Sequence, residues 1–149
     1  MSIGEICNRE TVFTTKDSSI SQAAQLMREQ HVGDLVVVEE KAVRRIPVGI
    51  LTDRDLVIEI LAKDVDMSAV TVGDVMSSEL LTARESDGLY ETLQRMRAKG
   101  VRRVPVVDAG GALAGIVSAD DLLDLLADEL SALARLLSRE QARERQKRT

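Results

Sequence analysis

The sequence predicts an α+β protein, built from two β-α-β-β-α repeats packed about a pseudo-two-fold axis and closed by a long C-terminal helix. Three observations lead there. Residues Ser19–Val38 match Asp87–Val107 in pattern at a nearly constant offset, and such self-similarity marks tandem copies of one supersecondary unit. Each copy carries an amphipathic helical stretch and then two β-branched runs joined by a polar turn, an order that places helices on one face of a sheet. Each copy also spans fewer than about 70 residues, too few to bury a stable core alone, so the two must share one.

In chain order, each repeat opens on a short extended piece, Thr11–Thr14 or Leu80–Thr82. A polar turn leads into the first helix. In the first repeat Ile20, Ala23, Ala24, Met27 and His31 fall at helical spacing behind Ser18 or Ser19 as cap. In the second, Leu89, Leu93 and Met96 do so after Asp87, and Gly100 ends the helix. The strand pairs are Leu35–Val38 with Ile46–Leu51, and Val104–Val107 with Leu113–Val117, the latter joined through Asp108, Gly110 and Gly111. Closing helices start at Asp53, running to Ala62, and at Asp120. The expected organisation is a first repeat over 1–64, a linker over 65–72, a second repeat over 73–130 and a helical extension with a basic tail over 131–149. Gly4 with Gly73, Thr14 with Thr82, Met27 with Met96 and Val37 with Val106 are among the anchor pairs.

Composition narrows the function classes. The chain has 149 residues with 44% hydrophobic and 30% charged content, normal for a globular protein, but only 1% aromatic, so its core must be aliphatic. A net charge of −5 argues against a surface that neutralises nucleic-acid phosphates. Cys7 is the only cysteine, which excludes an intrachain disulfide and reads as a buried or incidental thiol. Met1–Glu10 carries charges where a signal peptide needs an apolar stretch, and no apolar run reaches membrane-spanning length, so a cytoplasmic protein is expected. His31 is the only histidine, and neither it nor Cys7 sits in a metal-spacing or nucleophile motif. The expectation is therefore no enzyme, no catalytic residue, no metal and no catalytic cofactor.

The residues with the most chemical content lie at the end of each repeat's last strand: Thr52-Asp53-Arg54-Asp55 and Ser118-Ala119-Asp120-Asp121. A carboxylate three residues after a hydroxyl, in the first turn of a helix, can accept from both hydroxyls of a ribose, and the helix start favours a nearby phosphate. The same spacing also makes a helix cap with an acidic first turn. Duplication copies a cap as faithfully as a ligand contact, so the residues alone leave both readings open.

The segments Gly-Ile-Leu-Thr-Asp-Arg-Asp-Leu and Gly-Ile-Val-Ser-Ala-Asp-Asp-Leu, with Arg102-Arg103-Val104-Pro105-Val106-Val107-Asp108, resemble a tandem pair of cystathionine-β-synthase (CBS) domains, a Bateman module, over about residues 1 to 130. The resemblance implies a regulatory module that binds AMP, ADP, ATP, an NAD-type ligand or S-adenosylmethionine. By position it implies ribose contacts from Asp55 and Asp121 and ribose or phosphate contacts from Thr52 and Ser118. Arg102 and Arg103 stand opposite Gly33 and Asp34 in the first repeat, so unequal sites are expected, with these two arginines as candidate phosphate clamps. Arg54, whose i+4 neighbour is Ile58 and not an acid, is a weaker candidate. The resulting expectation is an energy- or redox-sensing module acting on a separate, unidentified protein; the alternative is a ligand-independent structural dimerisation module. In the final helix Leu123, Leu126, Leu130, Leu133 and Leu137 form a short heptad-like seam, which serves either a homodimer contact or cover for the repeats. From Ser138 to Thr149 five basic residues outnumber two acidic ones, without the interleaved aromatics that nucleic-acid binding would favour.

Overall fold

The structure, a computed structural model, describes residues 1–148; Thr149, the last residue of the basic tail, lies outside the described residues. Met1–Val117 forms one compact unit and the chain from Ser118 onward a second.

The first repeat runs α1 (Ile3–Ile6), β1 (Phe13–Thr15), α2 (Ile20–Gln30), β2 (Asp34–Lys41), β3 (Arg44–Thr52) and α3 (Asp53–Asp55), which widens into a π-helical stretch over Leu56–Leu61. A 3₁₀ turn, Met67–Ala69, precedes α4 (Val72–Val75), β4 (Ala83–Arg84), α5 (Leu89–Lys99), β5 (Arg103–Val107) and β6 (Leu113–Ser118). Each repeat contributes a three-stranded sheet in the order β1-β2-β3 or β4-β5-β6. The first strand of each pairs parallel with the second, Thr14 opposite Val37 and Ala83 opposite Val106, and β2 pairs antiparallel with β3. Leu35 to Val38 are all at most 1% exposed, so both faces of β2 are covered, which explains four consecutive apolar residues where a half-solvated strand would alternate. One face carries the core cluster of Ala23, Met27, Leu35, Val37, Leu51 and Val72.

Three local expectations are corrected. The opening strands are shifted toward the C-terminus: β1 overlaps the expected Thr11–Thr14 only at Phe13 and Thr14, and β4 begins just after Leu80–Thr82, because pairing begins only where β2 and β5 supply partners. In α2, Ala24 and His31 are exposed; His31 adopts φ 54° as the left-handed C-cap and so falls outside the helical face. The expected α-helix over Asp53–Ala62 is instead mostly π-helical, with Ala62 N–H donating to Val57 and Val65 N–H to Ile60. The cap of α2 is Ser19: its Oγ accepts from Gln22 N–H at 3.0 Å while Gln22 Oε1 accepts from Ser19 N–H at 3.0 Å.

The two repeats are joined by reciprocal exchange of their leading helices. Ile3 N–H donates to Asp87 C=O and Gly4 N–H to Glu85 C=O; at the offset that pairs Gly4 with Gly73, Val72 donates to Ser18 and Gly73 to Lys16. Asn8 exchanges two backbone bonds with Ile116, both 2.9 Å, and its counterpart Ser77 exchanges two with Ile50, 3.0 and 2.9 Å. Each of these bonds has its image in the other direction, which is the contact pattern of a pseudo-two-fold axis. The glycines at the strand centres follow from it. A Cβ on Gly49 would lie 2.6 Å from Met76 Sδ and 2.7 Å from Ser77 O, and one on Gly115 would lie 2.7 Å from Cys7 Sγ and 2.9 Å from Asn8 O. Cys7 is thus the structural counterpart of Met76, a half-buried side chain lying against the opposite repeat's strand.

The second unit is α6 (Ala119–Arg148), a single helix of 30 residues. Leu122 is buried, whereas Leu123, Leu126, Leu130, Leu133, Leu136 and Leu137 are between 43% and 68% exposed. No helix among the described residues is long and apolar enough to cross a membrane.

Candidate functional site

The site is assembled where β3 ends. Asp34 opens β2 directly opposite Thr52, and Asp53 N–H is anchored on Gly33 C=O at 2.9 Å, so the strand-to-helix turn is held against the start of the neighbouring strand. The Ile50–Ser77 bridge pins the chain leading into the second repeat along the same strand end. The result is a cleft of about 180 Å³ lined by Ile50, Thr52, Ser77, Glu79, Leu80, Leu81, Val101, Arg102 and Arg103. Four aliphatic side chains form its walls; the hydroxyls of Thr52 and Ser77, the Glu79 carboxylate and the two arginines supply polar groups.

Arg103 is held in place by the first repeat. Its Nε lies 3.1 Å from Asp34 Oδ1, with the arginine side chain 35% and the aspartate 15% exposed. Burial pushes the Asp34 carboxyl above the ordinary carboxylate range, opposed by the Arg103 guanidinium and reinforced by the nearby Asp53 carboxylate. Asp34 and Arg103 occupy equivalent positions of the two repeats, so the axis brings a residue into contact with its own divergent copy. Gly33 stands where Arg102 does in the second repeat, and a Cβ on it would lie 3.1 Å from Asp53 Oδ2. The turn leaves little room there for a larger side chain.

The predicted residues are only partly brought together. Thr52, Arg102 and Arg103 share this cleft. Asp55 does not line it. Its Oδ2 accepts from Thr52 N–H at 2.9 Å while Thr52 Oγ1 accepts from Asp55 N–H at 3.1 Å, a reciprocal capping box. Asp55 lines an adjoining depression of about 300 Å³ with Glu59, Lys63, Asp74 and Ser77, the last of which lines both spaces. Arg54 is exposed beside the turn, its backbone N–H on Asp53 Oδ1 at 2.8 Å. In the second unit Ser118 Oγ accepts from Asp121 N–H at 3.1 Å, and Asp121 is exposed. The capping half of the sequence reading therefore describes real bonds in both copies, reciprocal only in the first.

Sequence reasoning missed Asp34 as the anchor of Arg103, although opposite charges at equivalent repeat positions were the available signal. It also missed Leu80, Leu81 and Val101 as cleft walls, because the first two read as strand.

A family model for the CBS domain matches residues 3–62 and again 72–128. An uncharacterized protein of Methanopyrus kandleri is 35% identical over 125 residues, 84% of this chain and 62% of that protein's own length. The CBS domain-containing protein YhcV of Bacillus subtilis is 32% identical over 121 residues, 81% of this chain and 82% of the relative. Among solved structures, the CBS domain pair of protein MJ0100, in complex with 5′-methylthioadenosine and S-adenosyl-L-methionine, superposes with a TM-score of 0.72 at 25% identity, covering 85% of this chain and 99% of that one. With the family matched twice in tandem over most of its length, the chain belongs to the CBS domain family as a tandem pair.

Proposed function

We propose that this chain is a regulatory module that binds an adenosyl ligand in the cleft at the end of β3 and passes the bound state to a separate protein partner. The observation that carries the reading is the convergence of Thr52, Arg102 and Arg103 on one cleft that also has four aliphatic walls, with Ser77 and Glu79 completing its lining. Apolar walls with a few placed polar groups are what a purine nucleoside requires. At about 180 Å³ the cleft is smaller than the ~300–1,000 Å³ usual for pockets that bury a whole ligand, so it encloses the base end and leaves the polar end near the arginines. The related MJ0100 pair, bound to two adenosyl compounds, supports that ligand class.

In this reading Thr52 donates its hydroxyl proton to the ligand while its oxygen keeps the Asp55 N–H bond, and the guanidinium groups meet phosphate or another negative group. Asp55, in the adjoining depression, is a ribose acceptor, and Asp121 is the corresponding acceptor of the second repeat. The capping box favours a second role for Asp55: setting the turn that presents Thr52. The chain itself carries no reaction in this account.

Calorimetric titration of protein freed of copurified ligand with AMP, ADP, ATP, NAD and S-adenosylmethionine tests it. Binding of at least one is expected, and Arg102→Ala with Arg103→Ala should weaken a charged ligand by about ten- to a hundredfold. No binding of any of the five would leave the ligand-independent structural module as the reading that stands.

A further inference from the structure

We infer that α6 is an antiparallel pairing arm whose partner is α6 of a second copy of this chain. Its seam leucines, Leu123, Leu126, Leu130, Leu133 and Leu137, step by three and four residues along one side, and all are at least 43% exposed. A solvated stripe of that kind costs free energy that burial against a matching stripe recovers.

Charge selects both the occupant and its direction. Ala119–Leu133 contains Asp120, Asp121, Asp124, Asp128 and Glu129 and no basic residue, a net −5. Residues 134–148 contain Arg135, Arg139, Arg143, Arg145, Lys147 and Arg148 against Glu140 and Glu144, a net +4. A helix macrodipole explains acids in the first turn and bases in the last, but its effect fades within a turn, whereas Glu129 and Arg135 flank the middle of this helix. Parallel pairing sets the acidic half on the acidic half. Antiparallel pairing sets each half on its opposite, and with Leu130 packed beside Leu133 of the second copy the leucine stripe is continuous through the centre. Each helix is then both acidic and basic partner, so an unrelated surface is not needed. The inference is independent of the ligand reading.

Sedimentation equilibrium of the full chain, repeated at low and high salt, reads it out. A dimer is expected that weakens as salt rises. Leu130→Glu with Leu133→Glu should give monomers while circular dichroism retains a cooperative melt. Asp124→Arg with Asp128→Arg, which touches no seam leucine, should raise the dimer dissociation constant at least about tenfold. Adding Arg135→Asp with Arg139→Asp to that variant should restore it. A chain that stays monomeric throughout, a dimer indifferent to both substitution pairs, or a charge reversal that the second pair fails to rescue would each overturn the antiparallel arm.

Discussion

Thr52 and Asp55 act first on the backbone. Each caps the other, so Thr52→Ala or Asp55→Ala should lower stability by about 1 kcal/mol in urea unfolding, with or without ligand. Ligand affinity separates the two. Thr52→Ser keeps both the cap and the donor and should bind as the parent does, whereas Asp55→Asn, an amide in place of the carboxylate, reports on the ribose assignment. Undiminished affinity in Asp55→Asn would leave this residue as a cap alone. Asp34 carries a pH signature of known sign. Its folded-state pKa is raised by burial, so the folded protein holds a proton that the unfolded chain has released, and stability attributable to this group falls as pH rises from the ordinary 3.8 through the folded value. The difference in unfolding free energy between parent and Asp34→Asn, followed from acid upward, should turn against the parent through that window. A flat difference would show that Arg103 cancels the burial.

At the scale of elements, the strand-centre glycines tie each sheet to the other repeat's leading segment. Gly115→Ala would press a methyl group into Cys7 Sγ and Asn8 O, and Gly49→Ala would press one into Met76 Sδ and Ser77 O. Overpacking of this kind costs about 1–3 kcal/mol, and because one obstacle in each case is a backbone carbonyl, shortening Cys7 or Met76 should restore only part of it. Thermal melts of Gly115→Ala with and without Cys7→Ala check this. The wide turns over Leu56–Leu61 belong to the same scale: helical periodicity was legible in the sequence, but the hydrogen bonds reaching one residue further back were not, since an α and a π turn of aliphatic residues differ only in what the surroundings admit.

For the whole Met1–Val117 unit, stability is shared between repeats. Residues 1–9 give backbone bonds from Ile3, Gly4 and Asn8 to the second repeat, and Arg9 reaches Glu85 at 2.7 Å. Five backbone bonds, counting Leu89 N–H on Met1 C=O, at a net ~1 kcal/mol each are a large part of the ~5–15 kcal/mol that usually holds a domain. Deleting residues 1–9 should therefore lower the melting temperature and speed amide exchange in β5 and β6, although both strands lie about a hundred residues downstream. Protection there equal to the parent's would mean that the exchange of leading helices is dispensable.

By itself the sequence determined the duplication, the β-α-β-β-α order within each copy, though not the leading helix that precedes it, the aliphatic core and the turn residues, because periodicity, caps and repeats are local or self-referential properties of the chain. It pointed to Thr52, Arg102 and Arg103 without saying that they meet. Only the tertiary structure decided that these three line one cleft, that Asp55 spends an oxygen on a cap and faces the adjoining space, and that Arg103 is held by Asp34, its own counterpart. The reason is the exchange of leading segments across the pseudo-two-fold axis: it places the ends of strands far apart in the chain side by side, and no spacing within either repeat encodes which end meets which.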